Sequence, residues 1–132
     1  MAATKVLVVD DDLNIQRVLV FTLKQEGYEV LVASDGAEAL AQCSRREGGL
    51  HLVVTDMVMP EMSGIELAES IAISYPEIKV LLMSGYTRDE AARRGIASER
   101  YAFLEKPFTP SRLAARVREL LDGRTRVGMQ PA

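Results

Sequence analysis

The chain predicts an α/β domain, a doubly wound parallel sheet of five strands with five helices on its two faces. Three observations carry that expectation. Short runs rich in Val, Ile and Leu, with no polar alternation, suit strands covered on both sides of a parallel sheet. Each run is followed by a stretch whose apolar residues recur at helical spacing. The turns between them are only a few residues long, so successive strands must run parallel through right-handed crossovers.

Residues 5–9 form the first such run, and three acids, Asp10, Asp11 and Asp12, follow it. Ile15, Val18, Leu19, Thr22 and Leu23 then mark a helix that ends near Gly27. Residues 28–33 read as the second strand. Ser34 or Asp35 can cap the next helix, whose packing face is Ala37, Leu40, Ala41 and Cys43, and Gly48-Gly49 closes it. The third strand leads from His51 into Asp56, and a turn marked by Pro60 follows at once. Ser63 with Glu66 three residues later predicts a capping box before Ile65, Leu67, Ala68, Ile71 and Ala72, and Pro76 stops that helix. Residues 78–83 form the fourth strand and end in Ser84-Gly85. Residues 87–97 are Ala- and Arg-rich with Ile96 alone strongly apolar, which predicts a short, weakly anchored and movable helix. Residues 101–104 form the fifth strand, before Glu105-Lys106-Pro107-Phe108. Thr109 caps a last helix with Pro110 at its first position and a stripe of Leu113, Val117, Leu120 and Leu121. The domain is expected to span residues 4–122, with 123–132 a disordered tail or linker remnant.

At 132 residues one domain with a real core is expected. A net charge of −3 gives no general attraction to nucleic acid or to an anionic membrane, so direct contact with either is not expected. The single Cys43 cannot form an internal disulfide, which suits a reducing, cytoplasmic setting, and it reads as a small buried filler. No apolar run is long enough to span a bilayer, although a parent protein with a membrane anchor is compatible with the chain. His51, the one histidine, starts its strand far from the acids and reads as structural.

The residues just past the strand ends share one chemistry. The first strand offers Asp10, Asp11 and Asp12, the third Asp56, the fourth Ser84 and Gly85, and the fifth Lys106. A doubly wound sheet brings these to one edge, where ligands of open α/β folds collect. Two carboxylates about 4 Å apart at an effective dielectric near 20 repel by roughly 4 kcal/mol. A hard divalent cation relieves that repulsion, and an all-oxygen set suits Mg²⁺. There is no His or Cys cluster for a softer metal. Carboxylates, a lysine and a hydroxyl beside such a cation form an assembly for phosphoryl transfer.

Val8-Val9-Asp10-Asp11, the run from Asp56 through Met57, Val58, Met59, Pro60, Glu61, Met62 and Ser63 to Gly64, Met83-Ser84-Gly85, and Lys106-Pro107-Phe108 together resemble the signature of a receiver domain of two-component signalling. The resemblance covers residues 4–122. It implies a flavodoxin-like sheet of order 2-1-3-4-5. It further implies that Asp56 accepts phosphate from a phosphohistidine. Asp11, Asp56 and the backbone carbonyl of Val58 would bind Mg²⁺, with Asp10 acting through water. Lys106, preceding a cis bond to Pro107, would pair with phosphoryl oxygens. Ser84 would move to the phosphoryl group, aided by the Gly85 N–H, and Phe103 would turn inward in response. The face made by the fourth helix, fifth strand and fifth helix would then change shape, and a homodimer could form through it. The implied partners are a histidine kinase or a histidine phosphotransfer protein.

The chain departs from the common pattern in three places. Phe103 has no hydroxyl, so any switch acts by packing. Gly85 replaces the commoner Ala and opens the mouth of the site. Val58 and Tyr86 stand where polar groups often orient a hydrolytic water, which suggests slow self-dephosphorylation. The segments around Ser84 and Lys106 look most like receivers at the C-terminus of hybrid sensor histidine kinases; a stand-alone regulator is the alternative. The parent chain would then be a histidine kinase, and the domain itself no enzyme beyond self-catalysed phosphoryl transfer and autodephosphorylation. An aspartyl-phosphate phosphohydrolase would need a second acid two residues after Asp56, where Val58 stands. A purely structural pseudo-receiver is at odds with the retained Asp10, Asp11, Asp56, Ser84 and Lys106. Nucleotide binding lacks a Gly-rich loop after the first strand.

Overall fold

Val-, Leu- and Ile-rich segments become central strands because their side chains can be buried on both faces of a pleated sheet. In the computed structural model, which describes residues 4–45, 49–93 and 101–123, these strands are β1 (Lys5–Val9), β2 (Glu29–Ala33), β3 (Leu52–Asp56), β4 (Lys79–Ser84) and β5 (Ala102–Glu105). All pairings are parallel, and the order is β2-β1-β3-β4-β5. The expected sheet is therefore present. Four helices of ten or more residues alternate with the strands: α1 (Leu13–Gln25), α2 (Gly36–Arg45), α3 (Gly64–Ser74) and α5 (Pro110–Asp122). The remaining expected helix is described only as the six-residue α4 (Arg88–Arg93). The rest of the stretch predicted to be weakly anchored, from 94 on, lies outside the described residues, as do the tail from 124 and Gly48.

Alternate residues of one strand feed separate cores. Val6 and Val8 pack with Leu19 and Leu23 of α1 and with Leu113 and Val117 of α5. Leu7 and Val9 pack with Ala39 and Cys43 of α2 and with Leu67 and Ile71 of α3. Helices thus cover both faces. Burying each such aliphatic side chain contributes about 1.5–3 kcal/mol, the dominant favourable term. The thiol of Cys43 is pushed up by burial, consistent with a filler.

Local signals place the helix ends. Asp12 caps α1 by accepting from the N–H groups of Asn14 and Ile15. Of the two candidates before α2, Asp35 receives the Glu38 N–H at 2.8 Å. Ser63 and Glu66 make the expected reciprocal capping box on α3. A second reciprocal pair that sequence reading did not anticipate, Thr87 with Glu90, opens α4. Thr109 caps α5, and Gly123 ends it at φ 71°.

Val18 is a correction. It was expected on the packing face of α1 but is 54% exposed, whereas the polar Gln16 is buried. Gln16, Leu19 and Leu23 follow an i, i+3, i+7 line, and Val18 falls one residue off it. At the sheet's edge, the outward carbonyl of Val32 accepts a hydrogen bond from the Gln42 side chain at 3.4 Å. His51 lies at the opposite end of the sheet from the acids and accepts the Lys5 N–H at Nδ1, 3.0 Å away. No described helix is long and apolar enough to cross a membrane.

Candidate functional site

Register decides which side chains meet. Val9 of β1 lies beside Ala33 and Thr55, Asp56 beside Met83, and Ser84 beside Glu105. The residues that follow Val9, together with Asp56, Ser84 and Lys106, therefore emerge along one edge of the sheet.

Carboxylate oxygens of Asp10, Asp11 and Asp56 lie within 4.8 Å of one another. Asp10 is buried, Asp56 half-buried and Asp11 exposed, so the cluster runs from the interior to the surface. Asp10 Oδ1 accepts the Asp12 N–H at 2.9 Å, but its Oδ2 is buried with no hydrogen-bond partner. A buried carboxylate oxygen left so is costly. Burial pushes the Asp10 carboxyl up from its ordinary 3.8; the Asp12 N–H pulls it back, and the charges of Asp56 and Asp11 push it further while Lys106 opposes them. A hard cation with all-oxygen ligands fits this donor set: it would offset the repulsion, and a water that it holds would partner the buried Asp10 oxygen.

Lys106 Nζ lies 3.1 Å from Asp56 Oδ1, and the Val58 N–H points at the same oxygen from 3.4 Å. The Lys106–Pro107 peptide bond is cis, as the resemblance implied. Ser84 is buried, and its hydroxyl accepts the Tyr86 N–H at 2.9 Å and donates to the Tyr86 carbonyl at 3.3 Å. A Cβ added to Gly85 would meet nothing within 4 Å, so a methyl group would fit there without a clash. Val58 is 68% exposed beside the acids and Tyr86 is half-buried.

The Phe103 ring is already buried with Met57, Ala68, Leu82 and Tyr101. At the same time the Ser84 hydroxyl is turned onto the Tyr86 backbone.

Gln16 escaped sequence reading, and Gly64 was named there without a structural reason. Gln16 donates its side-chain amide to the Asp10 carbonyl at 2.6 Å. Its place in the apolar line of α1 was the available signal. Gly64, the first residue of α3, packs directly behind Asp56: an added Cβ would run into the Asp56 carbonyl oxygen and lie 2.9 Å from Met57 Cα. Next to Lys106, an apolar depression of about 450 Å³ is lined by Ile15, Val18, Leu19, Pro107 and Phe108.

The family model for the response regulator receiver domain matches residues 6–118. Over 117 residues the chain is 38% identical to the sensor kinase CckA of Brucella abortus, a match that covers 89% of this chain and 12% of the kinase. A receiver domain protein from Clostridium thermocellum superposes with a TM-score of 0.81 at 29% identity, covering 91% of this chain and 95% of that one. The receiver domain of the hybrid histidine kinase CckA gives 0.75 at 31% identity, covering 89% and 98%. The chain belongs to the receiver domain family of two-component response regulators. It spans about half or less of the length of the curated relatives it matches, for example 48% of the regulator PhoP of Bacillus subtilis. Receiver domains bind Mg²⁺ at acidic residues and interact with histidine kinases or phosphotransfer proteins.

Proposed function

We propose that this domain, spanning 4–122, takes a phosphoryl group from a phosphohistidine onto Asp56 and relays the change to the face around β5 and α5. The observation that carries the reading is the meeting of Asp10, Asp11 and Asp56 within 4.8 Å, with Lys106 3.1 Å from Asp56. Asp11, Asp56 and the Val58 carbonyl would hold Mg²⁺, with Asp10 acting through water. The ion, when bound, supplies charge neutralisation for the phosphoryl oxygens.

An Asp56 carboxylate oxygen attacks phosphorus in line as the P–N bond breaks. The donor imidazole, protonated at its other nitrogen, leaves neutral. Lys106 exchanges part of its pairing with Asp56 for the incoming phosphoryl oxygens. Ser84 reaches that group only by giving up its two hydrogen bonds to Tyr86, so phosphorylation pulls on the segment that leads into α4. The Gly85 N–H assists. Phe103, already buried, serves as the packed base of that rearrangement. The apolar depression beside Lys106 offers a seat for the donor protein next to the acceptor.

The similarity to CckA favours the receiver of a hybrid sensor kinase over a stand-alone regulator. In that setting the domain works in the cytoplasm, with a histidine kinase or phosphotransfer protein as partner, without direct contact to nucleic acid or membrane. A homodimer would use the face around β5 and α5.

The test is intact mass after acetyl phosphate and Mg²⁺, beside Asp56→Asn and a chelated sample. One phosphoryl adduct on the wild type alone is expected. A folded, Mg²⁺-binding wild type that stays unmodified both by acetyl phosphate and by a phosphorylated donor protein would overturn the reading.

A further inference from the structure

We propose that Gln16 is a positioning residue for the acidic site: its buried side-chain amide fixes the main chain at Asp10 and so sets the affinity of the carboxylate cluster for a divalent cation. The inference rests on the metal-binding role proposed above for Asp10, Asp11 and Asp56.

Gln16 is 7% exposed and projects from the first turn of α1. Its Nε2 lies 2.6 Å from the Asp10 carbonyl, 3.3 Å from Ser34 Oγ and 3.5 Å from the Ala33 carbonyl. The Ala33 carbonyl also accepts the Asp10 N–H, at 3.2 Å. The Asp10 residue is thus held at its N–H by β2, at its carbonyl by Gln16, and at Oδ1 by the Asp12 N–H. Only Oδ2 is left without a partner.

That arrangement works against the natural tendency of the cluster. Three like charges would relax by swinging apart, and the turn after β1 is the element able to yield. Gln16 prevents this because its own backbone is anchored: Leu19 and Leu23, on the same line of α1, are buried against the sheet and α5. The repulsion is therefore preserved for a cation to relieve. Groups that orient metal ligands without touching the metal commonly tune affinity by one to two orders of magnitude.

The experiment is calorimetric titration of Mg²⁺ alone into the wild type, Gln16→Met and Gln16→Asn, with thermal unfolding of each in chelator. Met keeps length and loses the donor; Asn keeps the amide but falls short by roughly one C–C bond, ~1.5 Å. Both should bind Mg²⁺ about tenfold more weakly than wild type, including in whichever variant unfolds at the wild-type temperature in chelator. A purely structural role would lower the unfolding temperature and leave the affinity of the folded fraction alone. Dissociation constants within about twofold of wild type would overturn the inference, with the Asn variant deciding if the Met variant does not fold. A wild type that binds no Mg²⁺ would instead remove the underlying metal-site reading.

Discussion

Replacing Gly64 with Ala tests how rigidly the phosphoacceptor strand is backed. The new Cβ would collide with the Asp56 carbonyl oxygen, sit 2.9 Å from Met57 Cα and 3.1 Å from Asp56 C. All three are backbone atoms of the strand end, and the Gly64 N–H is itself bonded to the Met57 carbonyl at 2.9 Å. Neither partner can rotate away, so the chain must separate by at least about 0.7 Å, in the range where overpacking costs about 1–3 kcal/mol. Ala gains back up to about 1 kcal/mol over Gly through the unfolded chain. A net loss of about 1–2 kcal/mol in urea unfolding is expected. The same displacement moves Asp56, and a misplacement of about 1 Å at a reacting group can cost a hundredfold, so phosphorylation by acetyl phosphate should slow by roughly tenfold. Two other glycines give the scale. At Gly36 a Cβ would press on the Met62 side chain and no backbone, so Ala there should cost less than at Gly64, and at Gly85 it would meet nothing, so Ala there should change stability by less than about 0.5 kcal/mol. If Gly64→Ala matches Gly85→Ala in both stability and phosphorylation rate, the packing argument fails.

Two further outcomes are expected. Folding raises the Asp10 carboxyl above 3.8 and so favours its protonated form, and the stability this brings is present below that value and lost as pH climbs through the raised one. Asp10→Asn, always neutral, should therefore gain on the chelated wild type in urea unfolding as pH rises from about 4, and saturating Mg²⁺ should narrow the gap; parallel pH profiles in chelator would contradict this. Glu61 sits at φ 69°, a left-handed conformation that costs a residue with a side chain about 1 kcal/mol, so Glu61→Gly should stabilise by about 0.5–1 kcal/mol; a destabilised variant would show that the Glu61 side chain holds the turn.

The parts of the site that were legible in the sequence are those that a strand presents at its own end. Asp10, Asp56, Ser84 and Lys106 needed only the apolar runs before them and parallel pairing to be brought together. Ser63 with Glu66 was legible because a capping box is local. Gln16 was not, since its partners are 17 and 18 residues away on another strand end as well as at Asp10. Val18 was misplaced for a related reason: apolar character alone does not say which of two adjacent helix positions faces the sheet. Gly64 was read only as the end of the run after Asp56, and the proximity of the Asp56 backbone shows why a side chain is excluded there. For Phe103, sequence could mark an aromatic at the right place but not its packing, which depends on Met57, Ala68 and Leu82 from three other segments.

The hydrogen bond from Gln42 to the Val32 carbonyl has a consequence for how the protein behaves at high concentration. An edge strand is a template for other chains, because its outward carbonyls and amides invite a neighbour to extend the sheet. Val32 is 40% exposed, so its neighbourhood is both apolar and accessible. With the outward Val32 acceptor already engaged by a helix side chain, an incoming strand must first displace Gln42 to bond that carbonyl. One amide on α2 thus occupies an acceptor that strand addition at this edge would need.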